Sequence, residues 1–255
     1  DDVGLGKTIE AGLIITCLIR REPPQRIMIV CPAGLALQWQ DEMEEHFGLN
    51  FSIMGDNFDG KRVANWQSQS LVIAPLDRIK RDDYRELLKQ VGGFDLVVCD
   101  EAHRLTARRQ FLDDRLVKTA NYQLFEFLVQ SRLIRYVDNN DQTPRSPRLL
   151  LLSATPHQGN HFQFWMLIQL LNPTLFRSVD EMVDQRHRLG SVVFRRTKAD
   201  ACQPDGSPLF ARRWVHTESF VMSADERRFY ECLQQYLQDG FDLADRKSTR
   251  LNSSH

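Results

Sequence analysis

The chain has 255 residues, 42% of them apolar and 26% charged, with a formal net charge of −1. At this length a globular chain buries roughly three quarters of its unfolded surface, which allows one large domain or two modest ones. The 33 basic and 34 acidic residues exclude a basic tail or a histone-like protein, though not a local basic face for nucleic acid. No apolar run reaches the roughly 18 residues that would span a bilayer, and no signal peptide is legible.

In chain order, the first element is a glycine turn, Asp1-Asp2-Val3-Gly4-Leu5-Gly6-Lys7-Thr8, leading into an apolar helix over residues 7–20. Residues 27–31 form a short β-branched run that reads as a buried parallel strand. A helix follows a proline over 35–47. The next strand covers 71–74, and a helix rich in Leu, Lys, Arg and Glu covers 76–90 before Gly92 and Gly93. Strands at 96–99 and 149–152 and a helix at 162–171, ending before Asn172 and Pro173, continue the rhythm. Strand, crossover helix and strand in repetition predict an α/β fold with a central parallel sheet flanked by helices.

Two stretches interrupt the alternation. Residues 138–147 (DNNDQTPRSP) predict an exposed loop, and 199–208 (ADACQPDGSP) a linker. Beyond the linker, 214–222 suits a strand and 224–241 a helix. Ser223 stands at that helix's N-cap and Glu226 at the capping-box position. Tyr230, Leu233, Leu237 and Phe241 share one of its faces. The last eleven residues, DRKSTRLNSSH, match the translation of a common short-read sequencing adapter, so 245–255 is expected to be an artefact outside the fold. Without them 30 basic and 33 acidic residues remain.

Three motifs carry chemistry. Gly4 and Gly6 allow the backbone to wrap a phosphate at a helix N-terminus. Lys7 would then pair with the β- and γ-phosphates, and the Thr8 hydroxyl would help hold Mg²⁺. The standard pattern has a glycine where this chain has Asp1. The strand at 96–99 ends in Asp100-Glu101-Ala102-His103, beyond the carboxyl end of a parallel strand, where ligands bind. Asp100 is expected to hold Mg²⁺ through water, Glu101 to orient and deprotonate the attacking water, and His103 to sense the γ-phosphate. The strand at 149–152 ends in Ser153-Ala154-Thr155, whose hydroxyls are placed to relay nucleotide state from the acidic box.

The segments GLGKTIEAGLI, CPAGLALQWQDE, DLVVCDEAH and LLLLSATPHQGN, in this order, resemble the first RecA-like lobe of a superfamily 2 helicase-type motor of the Swi/Snf (Snf-two) kind. The paired acids before GLGKT, Gln38-Trp39, Leu171-Asn172-Pro173 and the FRRTK stretch at 194–198 are also habits of that family. So is the departure at Asp1. The likeness is best to bacterial members, such as those associated with RNA polymerase recycling or with DISARM-type phage defence. It implies residues 1–198 as the first ATP-binding lobe, a helical insertion over about 104–146, a linker at 199–213 and the start of a second lobe at 214–244.

The resemblance further implies a DNA-dependent ATPase that translocates on double-stranded DNA in the bacterial cytoplasm, at the nucleoid. Pro32, Ala33 and Gln38 of one segment, and Ala74 and Pro75 of another, would contact one strand's backbone without reading sequence. Arg78, Lys80, Arg81, Arg104, Arg108 and Arg109 are charge clusters that suit a solvated face or a phosphate track. The catalytic arginine of such motors comes from the second lobe, so this chain alone is expected to bind Mg-ATP weakly and hydrolyse it negligibly. Another superfamily 2 helicase, a restriction-system motor, or a nucleotide-gated binding module without turnover remain open. Trp39, Trp66, Trp165 and Trp214 read as core and receive no role. Cys17, Cys31 and Cys99 read as reduced core thiols of a cytosolic protein; no CxxC pair suggests zinc. His157 and His161 lack a third ligand, so no metal site is read there.

Overall fold

The computed structural model describes residues 4–21, 25–109, 115–135, 147–155 and 159–198, and most of 200–252. Asp1, His157 and nearly all of the loop expected at 138–147 lie outside the described residues. The chain divides into two compact units, Asp1–Phe210 and Ala211–His255.

The first unit is built on a five-stranded parallel sheet. Its strands are β1 (Ile27–Cys31), β2 (Ser52–Ile53), β3 (Leu71–Pro75), β4 (Leu96–Cys99) and a C-terminal strand, β7 (Leu149–Leu151), in the order β2-β3-β1-β4-β7. β1 lies at the centre, with Ile29 opposite both Ile73 and Val98. Its alternate residues point to opposite layers. Ile27, Ile29 and Cys31 pack with Ala11 and Ile15 of α1 (Lys7–Arg21) and Trp39 and Met43 of α2 (Ala36–Phe47). Met28 and Val30 pack instead against the helices that follow on the other face. Apolar cover on both faces is why these strands read as unbroken Val/Ile/Leu runs. Each fully buried aliphatic side chain stabilises the sheet by roughly 1.5–3 kcal/mol.

The second layer contains α3 (Val63–Gln67), α4 (Leu76–Ile79), α5 (Asp82–Val91), α6 (Ala120–Gln130) and α7 (His161–Leu171). The single helix expected at 76–90 is two. Arg81 takes an extended conformation, and Asp82 and Asp83 open the new first turn, where acidic side chains meet the positive end of the helix dipole. A further helix, α8 (Val179–Asp184), packs Met182 against Ile168 and Phe176.

Several expectations are corrected. The insertion after the acidic box is not purely helical: it begins with an antiparallel hairpin, β5 (Ala107–Arg109) and β6 (Leu116–Lys118), followed by α6. An Arg-rich strand of three residues has too few apolar positions to show a period of two. Edge strand β2, with two residues, fell below the same threshold. Residues 214–222 adopt no regular secondary structure, and Trp214 is exposed rather than core. Cys17 is also exposed, on the outer side of α1.

In the second unit, α9 runs from Ala224 to Asn252, past the expected end at residue 241 and into the stretch expected to lie outside the fold. Its start shows a reciprocal capping box: the Glu226 amide donates to Ser223 Oγ at 3.3 Å and the Ser223 amide to Glu226 Oε2 at 2.9 Å. Phe229, Tyr230, Leu233, Tyr236 and Leu237 are exposed along it.

Candidate active site

Gly4 and Gly6 both have positive φ, +84° and +78°, a region that L side chains adopt only at a cost. The chain turns there directly into α1, and the first helical bond runs from the Glu10 amide to the Gly6 carbonyl at 3.0 Å. This leaves Lys7 and Thr8 in the first turn of the helix, where unpaired backbone amides concentrate.

The acidic box stands at the end of β4. The Asp100 amide donates to the Val30 carbonyl at 2.9 Å, which extends the central ladder and fixes the residue to the sheet. Its side chain is 8% exposed. Oδ1 accepts the Glu101 amide at 2.8 Å, and Oδ2 accepts the indole N–H of Trp39 at 2.9 Å. Glu101 itself sits in the left-handed region, with φ +52° and ψ +45°. Such a conformation in a non-glycine residue stores strain of order 1 kcal/mol and concentrates at functional sites.

From Glu101 the chain enters a 3₁₀ turn, Ala102–Arg104. His103 Nδ1 lies 3.1 Å from Glu101 Oε2 and 3.4 Å from Ser153 Oγ. The Ser153 hydroxyl also accepts the Thr155 amide at 3.2 Å. The Ala102 amide donates to the Leu152 carbonyl and the Leu152 amide to the Cys99 carbonyl, both at 2.8 Å. Two strand ends 50 residues apart are thereby clamped, and the acidic box and the Ser-Ala-Thr motif share one hydrogen-bonded cluster. The Thr155 side chain faces outward.

Lys7, Thr8, Asp100 and Glu101 converge on one open cleft of about 200 Å³, which Leu35, Gln38, Trp39 and Glu42 complete. The hydroxyl and carboxylate oxygens of Thr8 and Asp100 are hard donors of the kind Mg²⁺ takes, usually alongside water and phosphate. Behind the cleft, Cys31 and Cys99 are buried. Burial, and then the negative charge of Asp100, push the Cys31 thiol up to about 12; the same causes raise Cys99 well above the usual thiol range.

The residues expected at DNA divide. Ala33 and Gln38 are exposed, whereas Pro32, Ala74 and Pro75 are buried at the ends of β1 and β3. Gln38 also lines the cleft and donates to Glu42 Oε1 at 2.7 Å. Arg78 donates to the Met54 carbonyl, and Lys80 and Arg81 pair with Asp77 and Asp83. Arg108 and Arg109 are exposed on the hairpin, Arg109 over the ring of Phe162. Among the described residues no helix is long and apolar enough to cross a membrane, and no group of three or more His, Cys, Asp or Glu could hold a metal.

Residues 1–123 match the family model of the SNF2-related domain. The chain carries an SNF2-related domain. The RNA polymerase-associated protein RapA of Yersinia enterocolitica is 31% identical over 192 residues, 74% of this chain and 18% of that protein. RapA of Yersinia pseudotuberculosis matches to the same extent. The chain thus spans less than a fifth of the length of these curated relatives. A Sulfolobus solfataricus SWI2/SNF2 ATPase core, solved in complex with dsDNA, superposes with a TM-score of 0.56 at 19% identity, covering 78% of this chain and 40% of that one. At that identity the likeness shows the fold alone, a RecA-like α/β lobe.

Trp39 is the site residue that sequence reasoning missed. Its place in an apolar period marks it as core, and it is core, at 2% exposure. Its significance lies in the indole N–H, a buried donor that requires an acceptor. Periodicity locates the ring; it does not reveal which group, 61 residues away, accepts its hydrogen bond.

Proposed function

We propose that this SNF2-related domain is the first ATP-binding lobe of a DNA-dependent ATPase that moves along double-stranded DNA. The observation that carries this reading is the single cleft in which Lys7 and Thr8 from α1 meet Asp100 and Glu101 from the end of β4. Gly4, Gly6 and the first turn of α1 bind the phosphates through backbone amides, and Lys7 adds a point charge. Asp100 and Thr8 hold Mg²⁺, which neutralises phosphate charge when bound. Glu101 accepts a proton from the attacking water. His103 stands between Glu101 and Ser153, so the state of the phosphate end reaches the Ser153–Thr155 segment through one imidazole.

In this reading a second RecA-like lobe closes on the cleft and supplies an arginine, an effect on the order of 10³–10⁵ in rate. The lobe alone therefore binds Mg-ATP weakly and turns it over negligibly. Opening and closing of the two lobes, gripping one strand through Ala33 and Gln38 near the cleft and through the backbone around Pro32, Ala74 and Pro75, drives movement without base readout. The Sulfolobus core was solved with dsDNA, which supports duplex DNA as the track. The RapA relatives support RNA polymerase, ahead of phage-defence proteins, as the protein partner.

The test is ATP hydrolysis by a polypeptide carrying both lobes, with and without duplex DNA. Duplex-stimulated turnover is expected, together with movement along the duplex and no strand separation. Turnover indifferent to duplex DNA would refute the reading.

A further inference from the structure

Asp100 is held from two sides. The Glu101 amide takes Oδ1, and the Trp39 indole takes Oδ2 at 2.9 Å in a buried contact. The second partner comes from a different part of the chain. β1 ends at Cys31; Pro32 and the exposed 3₁₀ turn Ala33–Leu35 follow, and α2 begins at Ala36. Leu37 and Gln38 face outward, while Ala36, Trp39 and Met43 lie on the buried face against the sheet. Trp39 is therefore the inward-facing residue of the same helical turn that exposes Gln38. Its ring also lines the cleft beside Lys7 and Thr8.

We propose that Trp39 is a positioning residue for the Asp100 carboxylate, and that through it the placement of the turn at 33–38 sets the cleft's affinity for Mg-nucleotide. The proposal rests on the reading of the cleft as a Mg-ATP site. A carboxylate with both oxygens directed by N–H donors has a fixed plane, and partners of this kind typically contribute about 10–100-fold to metal affinity. A shift of the 33–38 turn moves the start of α2, and the indole N–H with it. Phenylalanine keeps an aromatic ring in the core without the N–H and leaves Oδ2 undirected.

The experiment uses this chain and a fluorescent N-methylanthraniloyl ATP. The Mg²⁺ concentration giving half-maximal nucleotide binding is measured for wild type, Trp39→Phe, Asp100→Ala and the double variant. Trp39→Phe is expected to raise it about tenfold, with no effect of Trp39→Phe once Asp100 is Ala. An unchanged Mg²⁺ requirement in Trp39→Phe, or an equal loss in the Asp100→Ala background, overturns the proposal while leaving the cleft reading intact. Failure of the wild-type chain to bind the nucleotide at any Mg²⁺ concentration overturns both. A second readout leaves Trp39 itself in place: the indole N–H NMR resonance of Trp39 should move in Asp100→Asn and that of Trp66 should not. A Trp39 resonance indifferent to Asp100→Asn refutes the contact.

Discussion

Glu101 faces His103 across 3.1 Å from a backbone that has turned into the left-handed region to let it do so. A carboxylate that followed β4 in extended geometry would continue the strand; the turn at Glu101 instead returns the chain as a 3₁₀ turn alongside Ser153. The strained residue and the proposed base are the same residue.

Exchange at this position should therefore separate stability from activity. Glu101→Gly relieves a left-handed backbone cost of about 1 kcal/mol, so thermal unfolding should shift upward, while turnover by the two-lobe protein disappears. Glu101→Gln should keep nucleotide binding and lower hydrolysis by roughly 10²–10⁴-fold, the usual contribution of a positioned general base. Retained hydrolysis in Glu101→Gln would remove Glu101 from that role.

Packing of α1 makes a second prediction. A Cβ on Gly12 of α1 would overlap the Phe47 ring of α2. Gly12→Ala gains up to about 1 kcal/mol of helix propensity, yet the overlap should cost more, with net destabilisation of about 1–3 kcal/mol in denaturant unfolding. Because α1 carries Lys7 and Thr8 while α2 carries Trp39, nucleotide affinity should fall with it.

The thiols give a pH prediction. At pH 8, iodoacetamide should modify the exposed Cys17, Cys202 and Cys232 of the native chain and spare Cys31 and Cys99. Burial and the nearby Asp100 raise the folded Cys31 to about 12 from an ordinary 9.0. A raised folded value means that its contribution to stability is complete below pH 9 and is lost as pH rises toward 12. Thermal midpoints measured from pH 8 upward should show that decline, and Cys31→Ala should flatten part of it.

Much of this molecule was legible from its residues. The strands at 27–31, 71–75 and 96–99 declared themselves because each is buried along nearly its whole length, and the glycine turn because Gly4 and Gly6 stand together ahead of Lys7. Less visible were β2 and the Arg-rich hairpin, whose backbone pairing needs no apolar period. The break at Arg81 lay concealed in a helix-forming composition, although Asp82 and Asp83 mark a helix start. Within the site, Lys7, Asp100 and Ser153 are legible from their motifs, from their places at a helix start and two strand ends, and from their order. The Trp39–Asp100 bond was not, since a hydrogen bond across 61 residues is a property of the packed sheet.

Calorimetric titration of this chain with Mg-ATP tests the central claim most directly. Weak but saturable binding is predicted, lost in Lys7→Ala and preserved in Glu101→Gln. No binding by the wild-type chain, or binding indifferent to Lys7→Ala, would contradict the assignment of the cleft.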